Sequence, residues 1–266
     1  MRINRPLNRS ALNRTLGRYL APAGLVLALI ALTMEMLAGL GTRWGFWHYR
    51  LGLGMLGAGA VAGAIGAIVS LAGGILSGTR RAAFRMAAAG IVAGLIATGI
   101  PWSWSRTATQ VPKIHDVTTD TADPPRFVAL LPLRDGAENP PAYDGPETAE
   151  KQNLAYPDIQ TLTLPLPPGA AFNRAVTAAR DMGWELVSMN SLEGRIEATA
   201  TTFWFGFKDD VVVRVKAAKD GSRIDVRSLS RVGAGDVGTN AKRIRTFLQK
   251  MRDTDTGGAQ ESRSAQ

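Results

Sequence analysis

The chain has 266 residues, a formal net charge of +9 and no cysteine. The lack of cysteine excludes disulfides, thiolate metal sites and cysteine nucleophiles. The length allows more than one domain, and the basicity would suggest nucleic acid if the charge were spread along the chain.

It is not spread. Residues 1–105 hold ten arginines against one acid, Glu35, a net +9; this leaves 21 of the 31 basic and 21 of the 22 acidic residues, which cancel, in the remainder. The excess flanks apolar runs, where it acts as a topology signal, and nucleic acid is not expected as a partner. Those runs fall at about 20–40, 51–76 and 82–102, each close to the ~20 residues a helix needs to cross a bilayer. Residues 1–19 form a basic amino terminus, and with two further spans behind it the first run reads as a retained anchor, not a cleaved signal.

Five arginines before the first span and Arg80, Arg81 and Arg85 after the second outweigh the flanks on the other side. This predicts a cytoplasmic amino terminus and a carboxyl-terminal domain delivered to the outside of the membrane. Trp44, Trp47, Tyr49, Trp102 and Trp104 would then lie at the outer interface, where indole and phenol rings favour the headgroup region. Gly59 with Gly63, and Gly90 with Gly94, have the spacing that lets helix backbones approach. They predict packing within the bundle, or alternatively a homo-oligomer face. Glu35 is the one acid within a span. A hydrogen-bonded helix contact is the first reading, and an accessory role in transport through Glu35 a weaker one. A GxGxxG at Gly52–Gly57 lies inside a span with no strand before it, so it is no dinucleotide site.

Residues 105–157 carry eight prolines from Pro112 to Pro157 and predict an extended, irregular arm with at most short strands, such as Phe127 to Leu131. Within it His115, Asp116, Thr118, Thr119 and Asp120 predict a segment that docks onto the domain. Residues 158–252 are regular: a strand at Leu162 to Leu166, a helix after Pro168, strands from Trp184 and from Arg195, and a hairpin turning at Asp220-Gly221. The hairpin places Val215 opposite Val226 and Arg214 opposite Arg227. A closing helix from about Asp236 to Met251 offers Val237, Ala241, Ile244, Leu248 and Met251 as its apolar stripe. The expected class is α+β: three transmembrane helices, then a two-layer domain with an antiparallel sheet of about five strands and two helices on one face, the other face open. Residues 253–266 are expected to be a disordered tail.

Three blocks in order carry a family resemblance: PKIHDVTTD at 112–120 followed by Pro124-Pro125, EATATTFWFGFKDD at 197–210, and DVRSLSRVG at 225–233 with DVGTNAKRI at 236–244. Over roughly residues 110–252 the chain resembles the family called domain of unknown function 1499. The resemblance implies bacterial-envelope or plastid proteins and carries no activity onto any residue.

The chemistry-bearing residues are few. Gly233-Ala-Gly-Asp-Val-Gly238 matches a phosphate-turn pattern between a strand and a helix, but no strand follows, and Asp236 in the helix-cap position would repel phosphate. His115 with Asp116, Asp120 and Asp123 lacks metal-ligand spacing. Asp209 and Asp210, adjacent in a strand, point to opposite faces and cannot form a dyad; one is expected to pair with Arg231 or Arg227, the other to sit in a turn. Phe203, Trp204, Phe205 and Phe207 cannot all face one core, and suggest a ligand groove or a membrane-surface contact. No catalytic residue, metal or cofactor is assigned. The expected function is a non-catalytic inner-membrane protein whose periplasmic domain binds an envelope partner protein or lipid. Its candidate contacts are His115, Asp116, Thr118, Thr119, Asp120, the aromatic run, Asp209, Asp210, Arg231, Asp236 and Asn240. A hydrolase or metal-dependent enzyme using His115 and the nearby aspartates is the alternative.

Overall fold

The computed structural model describes residues 9–78 and 80–264, with side chains from Leu12 to Asp253; Arg2 and Arg5 lie outside this range. The chain forms two compact units. One contains the residues up to Thr107 together with Trp204–Gly206, and the other contains the rest.

The first unit holds α1 (Arg9–Arg43), α2 (Tyr49–Leu76) and, as far as Thr107, α3 (Arg81–Gln110), all three long and apolar enough to cross a membrane. Small residues set their packing. A Cβ on Gly59 would lie 2.6 Å from the Glu35 side chain, one on Gly94 2.4 Å from the Gly63 carbonyl, and one on Gly90 2.1 Å from Ser70 Oγ. All four paired glycines are thus turned towards neighbouring helices of the same chain. Glu35 is buried beside Gly59, and its Oε1 has no hydrogen-bond partner. The third helix runs to Gln110, past the expected end near residue 102 and into the expected arm. Pro101 lies inside it, and the hydroxyls of Ser103 and Thr107 bond back to the carbonyls of Ile100 and Ser103, which keeps a polar stretch helical. Trp204–Gly206 packs here too: Trp204 Nε1 donates to the Met36 carbonyl at 3.3 Å, and the rings of Trp204 and Trp104 meet edge-on at 5.3 Å.

The second unit contains β1 (Asp116–Thr118), a 3-10 turn at Leu131–Arg134, α4 (Pro146–Ala155), β2 (Leu162–Leu164), α5 (Pro168–Asp181), β3 (Glu185–Asn190), β4 (Arg195–Thr201), β5 (Lys208–Ala218), β6 (Gly221–Ser230) and α6 (Thr239–Ser264). The sheet is antiparallel in the order β1-β6-β5-β4-β3, with β2 also pairing β6. Helices α5 and α6 cover one face. Phe172, Val176, Ala179, Ala241, Ile244, Phe247, Leu248 and Met251 close on Ile196, Val213, Val215, Ile224 and Val226, and Trp184 stacks on Phe247 at 5.4 Å.

Four local expectations are corrected. The hairpin register is two residues away: Val213 faces Val226, Val215 faces Ile224, and Arg214 faces Asp225, around Lys219-Asp220. An even slip keeps every side chain on its face, and it replaces a like-charge Arg214–Arg227 pairing with an ion pair. Gly221, at φ 134°, is needed because a Cβ there would lie 2.1 Å from the Leu164 carbonyl, so β2 sets the turn. The 127–131 segment is not a strand. The arm instead contributes β1, the 3-10 turn and α4, whose Gln152 donates to the Thr118 carbonyl at 2.7 Å and accepts the Thr118 amide at 2.9 Å, as a strand would. Helix α6 begins at Thr239, leaving Val237 exposed at φ 54°; its backbone continues helically to Ser264, where the composition suggested no order. Finally, the second face of the sheet is not open. The arm covers it, with Phe127 and Leu130 packed on Val212 and Leu229.

Candidate functional site

On the face covered by the arm, strand alternation turns Glu197 and Thr199 of β4, Asp210, Val212 and Arg214 of β5, and Asp225, Arg227 and Leu229 of β6 towards the arm. β1 adds Asp116 opposite Leu229, and Thr118 opposite Arg227. Charges taken out of water need partners, and each finds them. Arg227, 2% exposed, donates Nε to Asp116 Oδ1 at 2.9 Å and Nη2 to Oδ2 at 2.6 Å; its remaining donors reach the carbonyls of Pro125 and Pro141. Its guanidinium lies 5.0 Å from the Phe127 ring centroid and 5.5 Å from that of Tyr143. This arginine thus ties β6 to three separate parts of the arm.

Asp210 receives Arg134, Arg231 and the Thr199 hydroxyl. Glu197 accepts the amides of Val128, Ala129 and Leu130 at 2.9 to 3.0 Å, as well as Arg195 Nε. Asp225 receives Thr161, Thr119, Arg214 and Arg223, and Asp120 receives the same two arginines. Burial alone would push the Asp225 carboxyl up, but the hydrogen bonds from Thr161 and Arg214 outweigh it and hold it below the usual range. A carboxyl depressed in the fold stabilises above its unfolded pKa, ~3.9, and that contribution is lost as pH falls through the lower folded value. Thermal midpoints are therefore expected to fall as the medium is acidified below about pH 4. Circular-dichroism melts from neutral to acid pH check this: Asp225→Asn should lower the midpoint at neutrality and flatten the acid limb. An unchanged limb would remove Asp225 from this role.

The sequence-assigned residues separate between faces. Asp116, Thr118, Thr119, Asp120, Asp210 and Arg231 meet on the arm side. Asp209 points the other way, into a pair with Arg243 at 2.6 Å, and so lies in a strand and not in the expected turn. Asn240 accepts from Ser228 Oγ, and its amide nitrogen donates to Ser230 Oγ and the His115 carbonyl. Asp236 caps α6 through the amides of Gly238 and Asn240, as the turn reading anticipates. His115 Nε2 lies 3.3 Å from Asp144 Oδ2, an aspartate the sequence reading did not assign to it. The aromatic run divides: Phe203 is 88% exposed, Trp204 and Phe205 belong to the helical unit, and the Phe207 amide donates to Thr202 Oγ1.

Beside the Arg227 stack lies a hollow of about 440 Å³ lined by Pro124, Arg126, Phe127, Leu131, Pro141 and Tyr143 among others. A second, of about 720 Å³, runs from Pro124 and Tyr143 to Pro146, Ala149 and Leu154. Tyr143 lines both, and its buried hydroxyl has no hydrogen-bond partner. Burial, with the Asp116 charge nearby, pushes this phenol up to about 12, so it remains a donor at neutral pH. Arg126, Phe127, Arg134, Pro141, Tyr143, Gln152 and Glu197 were absent from the sequence-derived site. They lie in an arm without periodicity, or on a strand face whose charges read as solvated. Only the unusual density of arginine and aspartate on that face hinted at it.

The model of a family described as protein of unknown function, DUF1499, matches residues 116–251. The chain belongs to the DUF1499 family. The match begins at Asp116 and takes in Arg227 and Met251, so the DUF1499 region carries the ionic face, the arm from β1 onward, α5, and α6 as far as Met251, while the three apolar helices precede it. No curated protein and no solved structure matches the chain.

Proposed function

We propose that this DUF1499 protein is a multi-pass protein of the bacterial inner membrane, with its amino terminus in the cytoplasm and its DUF1499 domain in the periplasm. On this reading the domain binds an envelope ligand and does not transform it. The observation that carries the binding reading is saturation. Asp116, Asp120, Asp209 and Asp210, the acids first considered for acid–base work, are each held by arginines, whereas the hollows beside Tyr143 are open, mix apolar with polar lining and carry an unpaired hydroxyl. An acid whose oxygens are taken up by guanidinium donors is poorly placed to exchange a proton with a substrate in turnover.

The arginine-rich flanks support the orientation. So does the aromatic end of the helical unit, where Trp204 joins Trp104, and Trp47 Nε1 donates to the Ala38 carbonyl. Fusion of alkaline phosphatase, which folds only outside the cytoplasm, to the carboxyl terminus tests the placement. An active fusion is the expected result. An inactive phosphatase alongside a fluorescent cytoplasmic reporter at the same position would place the domain inside and overturn the reading.

A further inference from the structure

The hollows beside Tyr143 have a chemistry of their own. Their walls include Pro124, Pro141 and Pro146, which have no N–H to offer, and the carbonyls of Pro125 and Pro141 are already occupied by Arg227. A peptide laid there would lose water from its own amides and find few replacements from these proline walls, which is costly for each unmatched group. A hydrocarbon chain has no such requirement. Ala122, Ala149 and Leu154 extend the apolar wall in one direction, with Leu154 78% exposed. In the other direction Leu131 lines the smaller hollow, and Val128 and Leu133 of the same segment are 49% and 52% exposed. Apolar side chains clustered at one exposed place signal a binding surface.

The polar groups are asymmetric. Asp123, on the rim of the smaller hollow, is paired with Arg214 at 2.9 Å, and Arg227 is neutralised by Asp116. Arg126, exposed on the same rim, has no ion pair among the described residues. Tyr143, between the two hollows, holds a buried hydroxyl with nothing to donate to, and a buried donor left unmatched is costly. In the smaller hollow Arg126 and the Tyr143 hydroxyl together fit an anionic acceptor, and from there Pro146, Ala149 and Leu154 give the larger hollow an apolar side, with Thr121, Glu150 and Asn153 also in its lining.

We propose that the DUF1499 domain binds an anionic amphiphile here. Its acid group, carboxylate or phosphate, is held by Arg126 and Tyr143, and its acyl chain lies along Pro124, Pro146, Ala149 and Leu154. This rests on the binding reading above and narrows its ligand to a lipid-like acid.

The test uses the full-length protein in lipid nanodiscs and a photoreactive palmitate analogue carrying a diazirine, with cross-linked peptides read by mass spectrometry. Adducts on the three apolar helices report bilayer exposure and serve as the internal reference. Adducts in peptides covering 121–154 are expected in excess over the rest of the domain, falling at least about fivefold in Arg126→Glu, which alters an exposed side chain, and in Tyr143→Phe. That loss corresponds to about 1 kcal/mol. A melting temperature equal to that of the unaltered protein shows that either variant is folded, and Arg126→Glu decides if Tyr143→Phe is not. Competition by dodecanoate or dodecyl phosphate, whichever is stronger, assigns the headgroup, and dodecanol should compete weakly. Labelling of 121–154 no greater than elsewhere in the domain, or equal in Arg126→Glu, overturns the proposal. If labelling fails while the protein still retains another bound molecule, the ligand class is wrong and the binding reading stands. If both fail, both fall.

Discussion

Asp116→Ala is expected to lower the stability of the DUF1499 domain by about 3–5 kcal/mol, the range for breaking one partner of a buried ion pair. The loss arises less from the missing attraction than from what remains. Arg227 would be left charged and 2% exposed, between the Phe127 and Tyr143 rings, with only the Pro125 and Pro141 carbonyls as acceptors. Those carbonyls also distinguish the pair from a purely ionic contact. In the double variant Asp116→Leu with Arg227→Met, the desolvation of two charges disappears, which is often neutral or stabilising. The two proline carbonyls lose their donor, however, so recovery is expected to be partial. Equilibrium unfolding of the single and double variants, followed by circular dichroism, measures both quantities. A loss under about 1 kcal/mol for Asp116→Ala, typical of an exposed pair, would show that the arm is not held by this contact.

Glu197→Ala is expected to be nearly as costly, at about 3 kcal/mol or more, because three amides lose their acceptor together. The amides of Val128, Ala129 and Leu130 converge on one carboxylate from consecutive residues, an arrangement only an anion with two oxygens can complete. Glu197→Gln should recover little, since one of its two terminal atoms is a donor facing donors. Hydrogen exchange reads this directly: amides 128–130 should exchange slowly in the unaltered protein and quickly in both variants. Slow exchange in Glu197→Ala would mean that another group holds the segment. Phe127 and Leu131, on either side of these amides, line the smaller hollow, so the same substitution should loosen the proposed ligand site.

What could be read in the sequence followed where a single physical rule dominated. The three apolar helices emerge from hydropathy alone, and the stripe Ala241, Ile244, Leu248 and Met251 from helical periodicity. Phe247, one position from Leu248 and also buried, was missed because a strict stripe omits the residue that stacks on Trp184. The hairpin was legible as a hairpin but not in register. Asp220-Gly221 suggested the turn, whereas Gly221 serves the close approach of Leu164, a long-range contact invisible from local sequence. The implied Arg214–Arg227 juxtaposition was itself a warning, since like charges seldom face each other across strands.

The arm was the larger failure, and its cause is general. Prolines and scattered polar residues remove periodicity, yet Gln152 can imitate a strand and Glu197 can gather a turn, because side chains satisfy backbone groups as well as backbone does. The alternating charges of β5 and β6 read as a solvated face for the same reason. Burial of Arg227 depends on partners that the arm supplies from more than 80 residues away, and Asp225 draws Thr119 from the same arm; alternation along a strand cannot distinguish that from water.

The DUF1499 domain is proposed to hold a ligand. Native mass spectrometry of the full-length protein, released gently from its own membrane, tests it most directly. The expected spectrum shows a bound acidic amphiphile of lipid size, retained by the unaltered protein and lost from Arg126→Glu. A bare chain in both, under conditions that preserve ordinary bilayer lipids on the three helices, would contradict the account.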